Sequence, residues 1–282
     1  MEVINTVIEV QRRCEDIRLN GKSIALVPTM GFFHEGHIEL MRVARRRADI
    51  LVISIFVNPT QFGPTEDYGE YPRDMEGDLK KAEKAGVDLV FTPSVEEMYP
   101  VGFQTKVTVE GITKYLCGLS RPGHFEGVAT VVAKLFNITK PHFAIFGQKD
   151  FQQLTVIRRM VKDLAMHIEV IGVPTVRESD GLAMSSRNKY LSPEERESAL
   201  CIKESIDMTL SLVKDGERDT GRIKSLIQKL ILSRPFSNVD YISICDPVTM
   251  EDIGTIKGKS LLALAVKIGK TRLIDNCLID ID

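Results

Sequence analysis

Two spacings of apolar residues divide the chain. Short, nearly unbroken apolar runs at 23–28, 50–57, 88–92, 143–146 and 167–173 are each stopped by a Pro or Gly, and runs of that length predict buried β-strands. Leu51-Val52-Ile53-Ser54-Ile55-Phe56-Val57 has almost no polar alternation, which fits a parallel strand covered on both faces. Between these runs, 37–48, 74–85, 127–139 and 151–164 carry apolar residues at helical spacing, the second closed by Gly86 as a C-cap. Strand and helix in alternation predict an α/β fold, a Rossmann-like parallel sheet with helices on both faces.

The pattern changes after Pro174. Residues 177–189 are polar and without periodicity, and helical spacing returns at 193–214 and 220–232. Ser192-Pro193-Glu194-Glu195 reads as an N-cap, a first-turn Pro and first-turn acids. Three β-rich runs follow without intervening helices, at 239–245, 260–266 and 271–281. Helices followed by strands predict a smaller C-terminal α+β domain with an antiparallel sheet. The expected division is therefore a Rossmann-like domain at 1–176, a hinge loop at 177–189, and a smaller α+β domain at 190–282.

The length of 282 residues agrees with two domains. Thirty-seven basic against 39 acidic residues leave a formal net charge of −2, which gives no footprint for a nucleic-acid backbone. Any bound anion must be held locally. The longest apolar runs fall well short of the roughly 20 residues that cross a bilayer, and residues 1–13 lack a secretory pattern, so no membrane role and a cytoplasmic location are expected. Five dispersed cysteines without a C-x-x-C argue against a disulfide framework or a zinc site.

Five constellations carry candidate chemistry. Pro28-Thr29-Met30-Gly31-Phe32-Phe33-His34-Glu35-Gly36-His37 lies where the first strand hands over to a helix, an edge at which free N–H groups and the helix dipole favour phosphate. His34 and His37 are one helical turn apart, so both imidazoles can donate to charge building on one phosphoryl group. In Asn58-Pro59-Thr60-Gln61-Phe62-Gly63, Gln61 offers a donor and an acceptor to a neutral group. The nearby carboxylates Glu66 and Asp67 either help hold magnesium through water or are simply solvated. Ser120-Arg121-Pro122-Gly123-His124 either approaches an anion or caps a helix. Gly147-Gln148-Lys149-Asp150 opens a helix after a strand, with Lys149 as a point charge for phosphate and Gln153 one turn beyond. Met184-Ser185-Ser186-Arg187 suits a lid over a triphosphate. Four of the five fall at expected strand ends and the fifth at the joint, which allows convergence on one cleft.

Taken in order, these segments, with Tyr71-Pro72-Arg73 and Val173-Pro174-Thr175-Val176-Arg177, resemble the pantoate–β-alanine ligase family over essentially the whole chain. H-x-G-H alone would indicate only the wider nucleotidyltransferase superfamily. The resemblance implies attack of the pantoate carboxylate on the α-phosphorus of ATP, then displacement of AMP from pantoyl adenylate by β-alanine. It implies ATP contacts at Met30, Gly31, Phe32, Phe33, His34, Glu35, Gly36 and His37, at Gly147, Gln148, Lys149 and Asp150, and at Val176, Met184, Ser185, Ser186 and Arg187. Gln61 and Gln153 are implied at pantoate, Gln61 also at β-alanine, and His37, His34 and Lys149 in the chemistry. Magnesium (Mg2+) on the phosphates and a homodimer are implied as well, with metal ligands unassigned. Phe33 and Cys117 depart from the family pattern, where Leu and an acidic residue are common. An adenylyltransferase acting on a phosphate acceptor and a silent nucleotide-binding module stand as alternatives.

Overall fold

The computed structural model describes residues 1–64 and 66–281. They form two units: residues 1–110, 121–148 and 153–174 in the first, and 111–120, 149–152 and 175–282 in the second.

The first unit holds strands β1 (Glu2–Ile4), β2 (Ile24–Thr29), β3 (Ile50–Ile55), β4 (Leu89–Phe91), β5 (Phe143–Gly147) and β6 (Glu169–Val173). Its helices are α1 (Val7–Leu19), α2 (Glu35–Arg45), α3 (Met75–Lys84), α4 (Val95–Met98), α6 (His124–Thr139) and α7 (Phe151–Asp163), while α5 (Leu116–Ser120) belongs to the second unit. All strand pairs in this sheet are parallel, in the order β1-β4-β3-β2-β5-β6. From β2 the chain moves outward through β3 to β4, then returns to β5 on the other side of β2. The strand order therefore reverses between β2 and β5, and ligands of open α/β sheets settle in the crevice at such a point.

Both faces of the sheet are covered, as the continuous apolar runs require. Ala25 and Val27 of β2 join Leu51, Ile53 and Ile145 beneath Met41 and Ala44 of α2. The alternate residues Ile24 and Leu26 are also fully buried, on the side where α1 and α6 pack against β2. The spacing predicts no element before residue 23. Both β1 and α1 form there, β1 paired with β4 and α1 burying only Val10, Cys14 and Ile17.

The second unit stacks α8 (Pro193–Ala199), α9 (Cys201–Lys214) and α10 (Thr220–Leu232) on an antiparallel sheet of β7 (Ser237–Cys245), β8 (Ser260–Ile268) and β9 (Thr271–Ile279). The stretch 193–214, read as one helix, breaks at Leu200 into two. Ser192 and Glu195 form a reciprocal capping box at the start of α8. Within residues 177–189 Arg177 bridges Ala183, and a 3-10 turn runs over Ser186–Tyr190. Four of the five cysteines are buried, and all are free thiols.

Candidate active site

The segment after β2 is shaped by a residue that no motif flagged. Asp78 on α3 is 1% exposed, and its two carboxylate oxygens accept the N–H groups of Phe32 and Phe33 at 2.6 Å each. One turn along α3, Lys81 Nζ donates to the Phe33 carbonyl at 2.7 Å. Burial pushes the Asp78 carboxyl up, against the opposing pull of those two N–H groups and Lys81. The turn has positive φ at Gly31 (83°) and Phe32 (53°). A Cβ on Gly31 would stand 2.9 Å from Asp78 Oδ2 and 3.0 Å from Ile55 Cγ2. The room this glycine provides is thus taken by the carboxylate rather than by a ligand. Phe33 packs into the core at 3% exposure.

The clamp delivers His34 to the start of α2 as its N-cap. His34 Nδ1 accepts from Gly36 N–H at 3.2 Å, and His37 Nδ1 accepts from His34 N–H at 3.3 Å. The rings lie with centroids 4.1 Å apart. A ring nitrogen that accepts a backbone N–H carries no proton, so each neutral imidazole bears its hydrogen on Nε2. Both are thereby set as Nε2–H donors at the N-terminus of α2, where the helix dipole favours an anion.

After β3, Asn58 is 1% exposed and organises its own turn. Its Oδ1 accepts from Thr60 N, Thr60 Oγ1 and Tyr99 Oη, while its Nδ2 donates to Gln61 Oε1 and to the Gly127 carbonyl, each at 3.1 Å. Gln61 Nε2 reaches Met30 Sδ at 3.3 Å, which joins the first two constellations side by side. The segment 120–128 follows α5 rather than a strand, so only three constellations continue from strand ends. It reaches the same place through side chains. His124 Nδ1 lies 2.8 Å from the Gln61 carbonyl, and Arg121 Nη2 donates to that carbonyl at 3.3 Å.

Arg121 also binds both oxygens of Glu66 at 2.6 Å. Burial alone would raise the Glu66 carboxyl, but the hydrogen bonds and charge of Arg121, with Gly63 N–H and His124, hold it at about 2. Glu66 remains a loop residue, but its carboxylate is half-buried and paired with Arg121 rather than fully solvated. Gly147 and Gln148 lie at the end of β5, beside β2 in the sheet, and Gln153 stands in the first turn of α7.

The second unit carries the remaining predicted residues. Met184 N–H donates to the Val176 carbonyl at 3.0 Å, so these two are neighbours. Ser185 Oγ caps the Arg187 N–H and Ser186 is buried. The stretch is tied down by Arg177 on Asp275, by Asn188 on Glu178, and by Arg196 on Glu178 and Asp180. The Lys149 carbonyl accepts from Asn276 Nδ2 at 2.8 Å. Among the described residues no group of three or more His, Cys, Asp or Glu is placed to hold a metal ion, and no helix is long and apolar enough to cross a membrane.

A parallel sheet whose strand order reverses beside an H-x-G-H helix start is the architecture of a nucleotide-binding α/β enzyme. Residues 2–278 match the family model described as pantoate–β-alanine ligase. Pantothenate synthetase of Syntrophus aciditrophicus is 59% identical over 276 residues, covering 98% of this chain and 96% of that protein. The crystal structure of pantothenate synthetase from Thermus thermophilus superposes with a TM-score of 0.93 at 45% identity, covering 98% and 99% of the two chains. Pantoate–β-alanine ligase from Francisella tularensis, solved with a β,γ ATP compound and β-alanine, gives 0.81 at 34% identity, covering 99% and 97%. The chain belongs to the pantoate–β-alanine ligase family.

Proposed function

We propose that this chain condenses (R)-pantoate with β-alanine at the expense of ATP, through pantoyl adenylate, releasing pyrophosphate and AMP. The observation that carries the reading is the pair of Nε2–H donors, His34 and His37, held by backbone at the switch point of a chain that matches this family over residues 2–278. A pantoate carboxylate oxygen attacks the α-phosphorus, and the bond to pyrophosphate breaks. Charge builds on the phosphoryl oxygens in that step, where two imidazole donors would stabilise it without themselves becoming covalent partners. The amine of β-alanine then attacks the acyl carbon, AMP departs with the bonding pair, and the amine nitrogen loses a proton.

In this proposal the ATP contacts are Met30–His37, Gly147, Gln148, Lys149, Asp150, Val176 and Met184–Arg187. Gln61 and Gln153 take pantoate, with Gln61 also at β-alanine. The hold on Gln61 from Asn58, Arg121 and His124 supports it as a preset clamp rather than a loose turn residue. Magnesium fits the donors present, because its shell is filled largely by phosphate oxygens and water with one or two carboxylates. Its protein ligands stay unassigned, and Glu66 is paired with Arg121. When bound, the ion withdraws charge from the phosphates. A homodimer in the cytoplasm, acting on small molecules alone, completes the proposal.

The test is exchange of labelled pyrophosphate into ATP, with magnesium and without β-alanine. Pantoate-dependent exchange is expected; nucleotide binding without exchange would favour a silent module. His37→Ala should lower the exchange rate roughly 10²–10³-fold with the fold intact, and near-normal exchange in a folded variant would remove His37 from the chemistry.

A further inference from the structure

Asp275 and Asn276 are consecutive on β9 and so project to opposite faces of its sheet. Asp275 takes a core-side slot between Leu273 and Ile279 yet is a carboxylate, 2% exposed. Arg177 Nη1 and Nη2 donate to its two oxygens at 2.6 and 3.1 Å. Arg177 Nη1 also donates to the Gly181 carbonyl at 3.1 Å, and its backbone bridges Ala183. Asp275 therefore pins the base of the turn that carries Val176 and Met184. On the opposite face, Asn276 Nδ2 donates to the Lys149 carbonyl at 2.8 Å. One step along a single strand thus fixes two chain segments that are far apart in sequence, both of them within the second unit.

We infer that Asn276 is a positioning residue for ATP, acting through Lys149. The inference rests on the proposed contact between Lys149 and the nucleotide. A lysine ammonium rides on a long, flexible stem, so the place of its backbone sets the region it can reach. Releasing the Lys149 carbonyl spreads that region, and a misplacement of about 1 Å at such a group costs up to about 10²-fold. Lys149 is proposed at ATP and not at pantoate or β-alanine, so the effect should appear in ATP parameters alone.

The experiment is a double-mutant cycle on the full chain, with Lys149→Ala, Asn276→Ala and both together, read as KM for each substrate and as pyrophosphate exchange. Asn276→Ala should raise KM for ATP by about 10-fold, leave KM for pantoate and β-alanine unchanged, and add little in the Lys149→Ala background. Asn276→Asp, which keeps the shape but cannot donate, should reproduce the effect and replaces the alanine variant if that fails to fold. An equal effect of Asn276→Ala in both backgrounds, or parallel changes in all three KM values, would overturn the inference. If Lys149→Ala leaves KM for ATP unchanged, the assignment of Lys149 to the nucleotide fails, and this inference fails with it.

Discussion

Replacing Asp78, which is 1% exposed, with alanine removes the acceptor of two backbone N–H groups, those of Phe32 and Phe33. Each buried donor left without its partner costs about 1–3 kcal/mol, so Asp78→Ala should lose about 2–6 kcal/mol. That is a large part of the roughly 5–15 kcal/mol by which a domain is stable. Asp78→Asn keeps one acceptor oxygen but turns an NH2 toward the other amide, and should lose about 1–3 kcal/mol. Both variants free the positive-φ turn at Gly31 and Phe32 that delivers His34, so the exchange rate should fall roughly 10²-fold. Urea unfolding gives the stability change, and hydrogen exchange at the Phe32 and Phe33 amides gives the local one. Wild-type midpoints together with wild-type protection at those two amides would refute the reasoning. The pH dependence carries a further signature. Burial raises the Asp78 carboxyl above its ordinary 3.8, so the native chain binds this proton more readily than the unfolded chain. Its contribution to stability falls as pH rises from about 3.8 through the raised value and is level above it, a slope that Asp78→Asn should abolish.

Glu66 should behave in the opposite sense: its carboxyl lies at about 2 in the folded chain against an ordinary 4.5, so its stabilisation is complete above about 4.5 and lost as pH falls toward 2. Acid titration of unfolding should show this for the wild type and less of it for Glu66→Gln; identical curves would remove the Arg121 pair from the account. Gly127→Ala would drive a Cβ into the Thr60 carbonyl oxygen and to 2.7 Å from Gln61 N. Overpacking against backbone should cost about 1–3 kcal/mol and raise KM for pantoate, measured by steady-state kinetics, whereas unchanged kinetics would separate Gln61 from that substrate. Asp275→Ala strands Arg177 and should lower stability by about 3–5 kcal/mol in denaturant titration; a loss below about 1 kcal/mol would mean that water already satisfies the guanidinium.

The strands β2 to β9 and most helices are legible in the chain because Pro and Gly stops, caps and side-chain spacing act over a few residues. The positions of His34, His37, Gln61 and Lys149 at element boundaries are legible for the same reason, each lying in a short motif. The three residues of β1 carry too little pattern to read, and α1 buries only three side chains along its length; β1 forms through its pairing with β4. Asp78 and Asp275 leave a trace in sequence, since each is a carboxylate where α3 and β9 would otherwise turn an apolar side chain inward. What each is for cannot be read there. Phe33 lies 45 residues from Asp78, and Arg177 lies 98 from Asp275.

By itself, then, the sequence determined the α/β and α+β elements, the motifs at their ends and the family. The tertiary structure decided the strand order that opens the switch point between β2 and β5, the Nδ1 acceptor role of both imidazoles, and the pairing of Glu66 with Arg121. Periodicity reports which face of an element is buried. The partner of a buried polar group is set only when segments distant in the chain are brought within hydrogen-bonding reach.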